Sequence, residues 1–149
     1  MNKWIISLVG CFFVISGCAK ERDAENYVLD EEKEVIRLVN NERAKAGIAS
    51  LEMDLSLMQS CKIRAEELTT LFSHDRPNGA SCFSVITFES KESGENIAKG
   101  QTDASTVMNS WMNSKGHRDN ILNPNFTHIG VGYLLQNNTA YWVQLFAKK

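Results

Sequence analysis

The chain has three histidines, His74, His117 and His128, and the first two sit where side chains could do chemistry. His74 lies in Ser73-His74-Asp75-Arg76-Pro77, and His117 in Asn113-Ser114-Lys115-Gly116-His117-Arg118. Both surroundings are polar and turn-rich rather than apolar stripes. Between them stands Gly94-Glu95-Asn96-Ile97-Ala98, an acid beside a glycine. Two imidazoles and a carboxylate on three separate loops are what a metal or proton-transfer site requires. Imidazole lone pairs bind Zn²⁺, and the carboxylate either ligates as well or holds a ring in the right tautomer. The plainer alternative is that rings and acid only brace neighbouring loops by hydrogen bonds. Ser73 and Ser114 lie near the histidines, so a Ser–His–Glu hydrolase is conceivable. No nucleophile-elbow pattern is present, however, and turn or capping roles suit both serines. His128 falls in a strand-like stretch and reads as an ordinary surface or half-buried residue.

The elements that must position these groups follow from periodicity. A first helix is expected over Glu31–Ala46, with Asp30 as N-cap, Val35, Leu38, Val39 and Ala46 on one stripe and Gly47 as the stop. A second fits Asp54–Thr70, where Leu57, Cys61, Ala65 and Leu68 share a face. Leu71–Gly79 reads as loop, and Ser81–Glu92 has no clear signal. A third helix fits Asp103–Ser114 through Ala104, Val107, Met108 and Trp111, and Lys115–Asn125 reads as a compact connection. Thr127–Leu135 and Ala140–Phe146 are rich in β-branched and aromatic residues around a turn at Gln136–Thr139, the pattern of a β-hairpin. Helices first and a hairpin last indicate α+β layers.

With 149 residues, 43% hydrophobic and 23% charged, the chain suits one globular domain. Its net charge of -2 offers no basic surplus for nucleic acid. The first residues stand apart. Trp4–Ile15 is an apolar run with the length of a signal-peptide core, too short to span a bilayer comfortably. Ile15-Ser16-Gly17-Cys18 then looks like the bacterial lipobox, at which cleavage leaves Cys18 as a lipidated first residue. The expected organisation is a lipoprotein signal peptide over 1–17, a polar tether over 18–29 and a folded domain over 30–149. The domain would then work close to a membrane, outside the cytoplasm. Of the four cysteines, Cys61 and Cys82 remain in that domain, and in such a compartment they are expected to pair.

Longer motifs add a resemblance. Phe72-Ser73-His74-Asp75-Arg76-Pro77-Asn78-Gly79, Gly94-Glu95-Asn96-Ile97-Ala98-Lys99-Gly100, and Trp111 through Leu122 (WMNSKGHRDNIL) occur in that order. Ile129-Gly130-Val131-Gly132 and Tyr141-Trp142-Val143-Gln144 follow them. Together these segments resemble the bacterial branch of the CAP superfamily, the SCP domains, over roughly Glu32 to Phe146. Relatives include cysteine-rich secretory proteins, venom allergens and pathogenesis-related proteins. The resemblance implies an α-β-α sandwich with a small antiparallel sheet between helical layers. It also implies a cleft lined by His74, Glu95 and His117. In many relatives these match three members of a set of two histidines and two glutamates, whose histidines can hold a divalent metal such as zinc. The fourth member is absent here, because Ser114 stands three residues after Trp111 where many eukaryotic members have Glu.

Two functions are consistent with this. One is a membrane-anchored, monomeric, non-enzymatic module whose cleft binds a lipid, a peptide or a cell-envelope component, with or without metal. The other is a metal-assisted hydrolase or peptidase using His74 and His117 as ligands and Glu95 to move a proton. Zinc hydrolases use three firm protein ligands plus a base. Two imidazoles and one carboxylate are too few for all four roles, which favours binding. The discriminating observation is whether Glu95 points its oxygens into the open cleft or gives them to buried partners.

Overall fold

A computed structural model describes residues 28–149. The expected signal segment, the lipidation site Cys18 and the tether up to residue 27 lie outside the described residues. Val28 packs into the core of the domain, and the exposed Leu29 rather than Asp30 caps the first helix. In chain order the elements are α1 (Asp30–Lys45), β1 (Glu52–Met53), α2 (Leu55–Thr70), a 3-10 turn (Cys82–Val85), β2 (Glu92–Lys99), α3 (Ala104–Asn113), α4 (Lys115–Ile121), β3 (His128–Gln136) and β4 (Thr139–Lys148).

The sheet has the order β1-β3-β4-β2. The three long strands are antiparallel, and the two-residue β1 adds a parallel edge to β3. Asn137 and Asn138 both adopt positive φ, at 49° and 59°, so β3 and β4 are joined by a turn whose twist matches that of the strands. One face of the sheet is covered by α2, where Leu57, Cys61, Ala65 and Leu68 pack on Ile97, Val143 and Leu145. The other face carries α1, α3 and α4, with Val35, Val39, Val107 and Trp111 against Val131, Trp142 and Phe146. This is the expected α-β-α sandwich. The α2 stripe sits very close to the sheet: a Cβ on Gly130 would collide with the backbone of Leu57, and one on Gly132 with that of Cys61.

Two segments differ from the sequence expectation. Glu92–Lys99 is a strand, although Ser, Gly, Glu and Asn give it poor β-propensity; burial and pairing with β4 override that preference. Lys115–Ile121 is a seven-residue helix rather than irregular connection, and it carries His117. Glu95 and His117 therefore sit on regular elements, and of the three only His74 is on a loop.

Candidate functional site

Glu95 projects from β2 toward α2 and is 5% exposed. There it meets Arg64, a fully buried arginine on the apolar side of α2. Arg64 Nε donates to Glu95 Oε2 at 2.9 Å, and Nη2 reaches Oε1 at 3.4 Å. The same guanidinium donates to Glu67 Oε2 at 2.8 Å and to the carbonyl of Ser73 at 2.7 Å. Glu67 in turn accepts from Arg76 Nη2 at 2.7 Å. Burial pushes the Glu67 carboxyl up, but Arg76 and Arg64 outweigh it and hold the group below its ordinary value.

His74 completes this chain of charges. Its Nδ1 lies 2.8 Å from Glu95 Oε1. A carboxylate can only accept, so Nδ1 is the donor, and in the neutral ring this leaves the lone pair on Nε2. The His74 side chain is 58% exposed, in contrast to its partner. The loop is pinned from both ends: the Ser73 carbonyl accepts from Arg64, and the Cys82 amide donates to the His74 carbonyl at 3.1 Å.

His117 reaches the same cleft from the opposite helical layer, past the edge of β2. Its carbonyl accepts from Asn96 Nδ2 at 3.1 Å. Asn120, one turn on, donates to Asn96 Oδ1 at 2.9 Å and to the Glu95 carbonyl at 3.2 Å. These bonds dock α4 onto β2 and fix the position of His117. Burial and the nearby His74 both disfavour a charge on His117 and hold its pKa below the ordinary value. A cavity of about 510 Å³ opens on the His117 side, lined among others by Phe72, Ile97, Lys99, Trp111 and Ser114. A second, of about 390 Å³, opens on the His74 side toward Cys82 and Phe83.

The structure joins His74 to Glu95 by a hydrogen bond and places His117 near enough for His74 to act on its charge. Ser73 is a turn residue whose Oγ accepts the Asp75 amide at 3.1 Å. Ser114 precedes α4 and lines the cleft, and neither of its neighbours supplies a second carboxylate. His128 lies on β3 near Glu52 and Thr127, on the far side of β4 from the cleft strand β2.

The expected disulfide is not formed: Cys61 and Cys82 are both buried free thiols. Cys61 points from α2 into the sheet against Leu145, whereas Cys82 opens the 3-10 turn beside Ser81 and Glu95. Burial raises both thiols, and with the charge of Glu95 it pushes Cys82 up to about 11. A main-chain hydrogen bond and Arg64 do the pinning that the bridge was expected to do.

Arg64, Asn96 and Asn120 were missed in the sequence. One signal existed for Arg64: it is a charge at the i+3 position of the stripe Leu57, Cys61, Ala65, Leu68, where only a paired charge is tolerated.

Helices on both faces of a small sheet, with a histidine-lined cleft at the edge of β2, define an SCP-type domain. The family model described as the cysteine-rich secretory protein family, CAP, matches residues 36–146. The uncharacterised protein YkwD of Bacillus subtilis (strain 168) is 43% identical over 123 residues, 79% of this chain and 47% of its own length. The crystal structure of an extracellular SCP-domain protein from Bacillus anthracis str. Ames has a TM-score of 0.72 at 27% identity, covering 80% of this chain and 40% of that one. An outer surface protein of Borrelia burgdorferi also has a TM-score of 0.72, at 24% identity, with coverage of 81% of this chain and 96% of that one. The chain belongs to the cysteine-rich secretory protein (CAP) family. It spans 47% and 34% of the length of the two Bacillus subtilis relatives it matches.

Proposed function

We propose that this chain is an extracytoplasmic binding module, anchored to a bacterial membrane through lipidated Cys18, that captures a ligand in the cleft between His74 and His117 without cleaving it. The observation that carries this reading is the commitment of Glu95. Its Oε2 is held by Arg64 and its Oε1 by His74, and the side chain is 1% exposed. A general base needs an oxygen within hydrogen-bond reach of a water or substrate proton. Glu95 has none free, and among the described residues no acid lines the cavity on the His117 side; the other acid of the cleft, Asp75, lies on the His74 side. The extracytoplasmic location is supported by relatives described as an extracellular protein and an outer surface protein.

A divalent ion such as zinc fits the cleft as a two-ring ligand set. His74 Nε2 is left with a lone pair by the Glu95 bond, and a His117 held neutral offers another. Among the described residues no three His, Cys, Asp or Glu side chains converge to hold a metal. Water or the captured ligand would complete the coordination. When bound, such an ion supplies positive charge for an oxygen-bearing ligand.

The test is a cleavage assay on the full chain with a peptide pool, with and without added Zn²⁺, read by mass spectrometry. No turnover is expected in either condition. Zinc-dependent cleavage lost in Glu95→Gln would establish the hydrolase instead. For the anchor, Cys18→Ser is expected to move the protein from the membrane to the aqueous fraction, since two or three acyl chains hold firmly and none does not. A native protein already in the aqueous fraction would contradict it.

A further inference from the structure

The cleft follows a sheet edge, and the hydrogen bonds of that edge are incomplete. In the β3–β4 hairpin, Gln136 and Thr139 close a two-residue turn, so odd-numbered residues of β4 bond to β3 and even-numbered ones to β2. The Gly100 amide bonds to the Ala140 carbonyl in keeping with this register. On β2, residues 94, 96 and 98 therefore face β4, while Glu95, Ile97 and Lys99 turn their amides and carbonyls outward.

Two of those outward carbonyls are covered. Asn120 donates to that of Glu95 at 3.2 Å, and Trp111 Nε1 to that of Ile97 at 3.4 Å. The outward amides of Ile97 and Lys99 have no acceptor among the described residues, nor has the Lys99 carbonyl a donor. Both residues line the 510 Å³ cavity. The outward amide of Ile97 has no protein acceptor there among the described residues, which leaves a donor for a ligand to satisfy. In the same cavity the buried Oε1 of Gln101 has no donor. The Lys99 ammonium lies 5.7 Å from the centroid of the Tyr141 ring, and no lining residue is acidic. Phe72, half exposed, forms an apolar rim.

A ligand that answers the two amides must bring acceptors about 6.8 Å apart, the two-residue repeat of a strand. An acyl chain brings none. We propose that the cleft takes an extended peptide segment as a partial fifth strand on β2, its carbonyls on the amides of Ile97 and Lys99 and a carboxylate toward the Lys99 ammonium. This rests on the binding reading above and names the ligand class for it. Main-chain pairing supplies affinity, and the wall formed by Phe72 and Trp111 sorts side chains.

The test uses the full ¹⁵N-labelled chain in detergent micelles, with a pool of N-acetyl pentapeptides ending in a free Glu carboxylate. Saturating pool is expected to slow hydrogen exchange at the amides of Ile97 and Lys99 while leaving the ladder amide of Ala98 unchanged. Lys99→Ala removes the charge alone; Lys99→Pro also removes an outward donor that the ladder does not use, and is expected to bind about tenfold more weakly than Lys99→Ala. No slowing at millimolar pool, equal affinity of the two variants, or equal slowing by decanoate would overturn the proposal. Cleavage of the pool with these amides protected would overturn the binding reading and leave the edge assignment standing.

Discussion

Replacing Glu95 with Gln should damage the fold far more than removing the histidine that Glu95 orients. The Arg64–Glu95 pair is buried, with side-chain exposures of 0% and 1%. Removing one charge of such a pair costs about 3–5 kcal/mol, because the other is left buried and uncompensated. Arg64 keeps Glu67 and the Ser73 carbonyl, and a Gln oxygen can still accept one of its bonds, so about 2–3 kcal/mol is expected here. For a domain of this size that is a fall in Tm of roughly 10 °C. His74 is 58% exposed, and loss of its bond in His74→Ala should cost under about 1 kcal/mol. Urea titration of the two variants at low and high salt measures both values. The Glu95→Gln loss should persist in high salt, since the pair is shielded from ions. A loss below about 0.5 kcal/mol, or one no larger than that of His74→Ala, would refute the assignment of Glu95 to the fold.

Further outcomes follow from other parts of the molecule. Gly130→Ala should destabilise by at least about 1–3 kcal/mol, because its Cβ meets the Leu57 backbone, whereas Gly116→Ala, with open space around it, should be neutral or slightly stabilising; thermal melts separate them, and equal Tm values would contradict the close α2–sheet approach. Burial and His74 hold the His117 imidazole below 6.5, so the unfolded chain takes up the proton first. Stability is then full above about pH 6.5 and falls as the pH drops below it, and His117→Gln should flatten that slope in denaturation series between pH 7 and 5. Zn²⁺ at about 100 times its dissociation constant should stabilise the wild type and His128→Ala by ~2.7 kcal/mol, and His74→Ala and His117→Ala not at all. Ser114→Glu, which restores an acid beside the rings, should bind zinc more tightly; calorimetry showing equal affinity in the wild type and both cleft-histidine variants would remove the two-ring site.

The apolar stripes made three helices and the hairpin legible, because their periods of 3.6 and 2 are written in single residues such as Leu57, Cys61, Trp111 and Trp142. Strand β2 was not legible. Its residues are poor strand formers, and it exists because β4 and two helical layers close around it. The helix over Lys115–Ile121 was hidden by Gly116 and by its short length. At the site, His74, Glu95 and His117 could be named from motif and type, but their division of labour could not. That depends on Arg64, thirty-one positions from Glu95 along the chain, whose buried charge claims the acid. The expected disulfide failed for a related reason: compartment and loop position bring two cysteines near one another, but only packing decides where their sulfurs point.

The commitment of Glu95 is tested most directly by the protonation of the His74 ring. Long-range ¹H–¹⁵N spectra of the full chain near pH 7.5 distinguish the two neutral tautomers. With Glu95 held by Arg64 and accepting from His74, the proton should sit on Nδ1 and Nε2 should show the shift of a bare nitrogen; Glu95→Gln should abolish that preference. A His74 protonated on Nε2 in the wild type, or a tautomer unmoved by Glu95→Gln, would mean that the carboxylate is free to face the cleft, and would contradict the reading of this site as one that binds without cleaving.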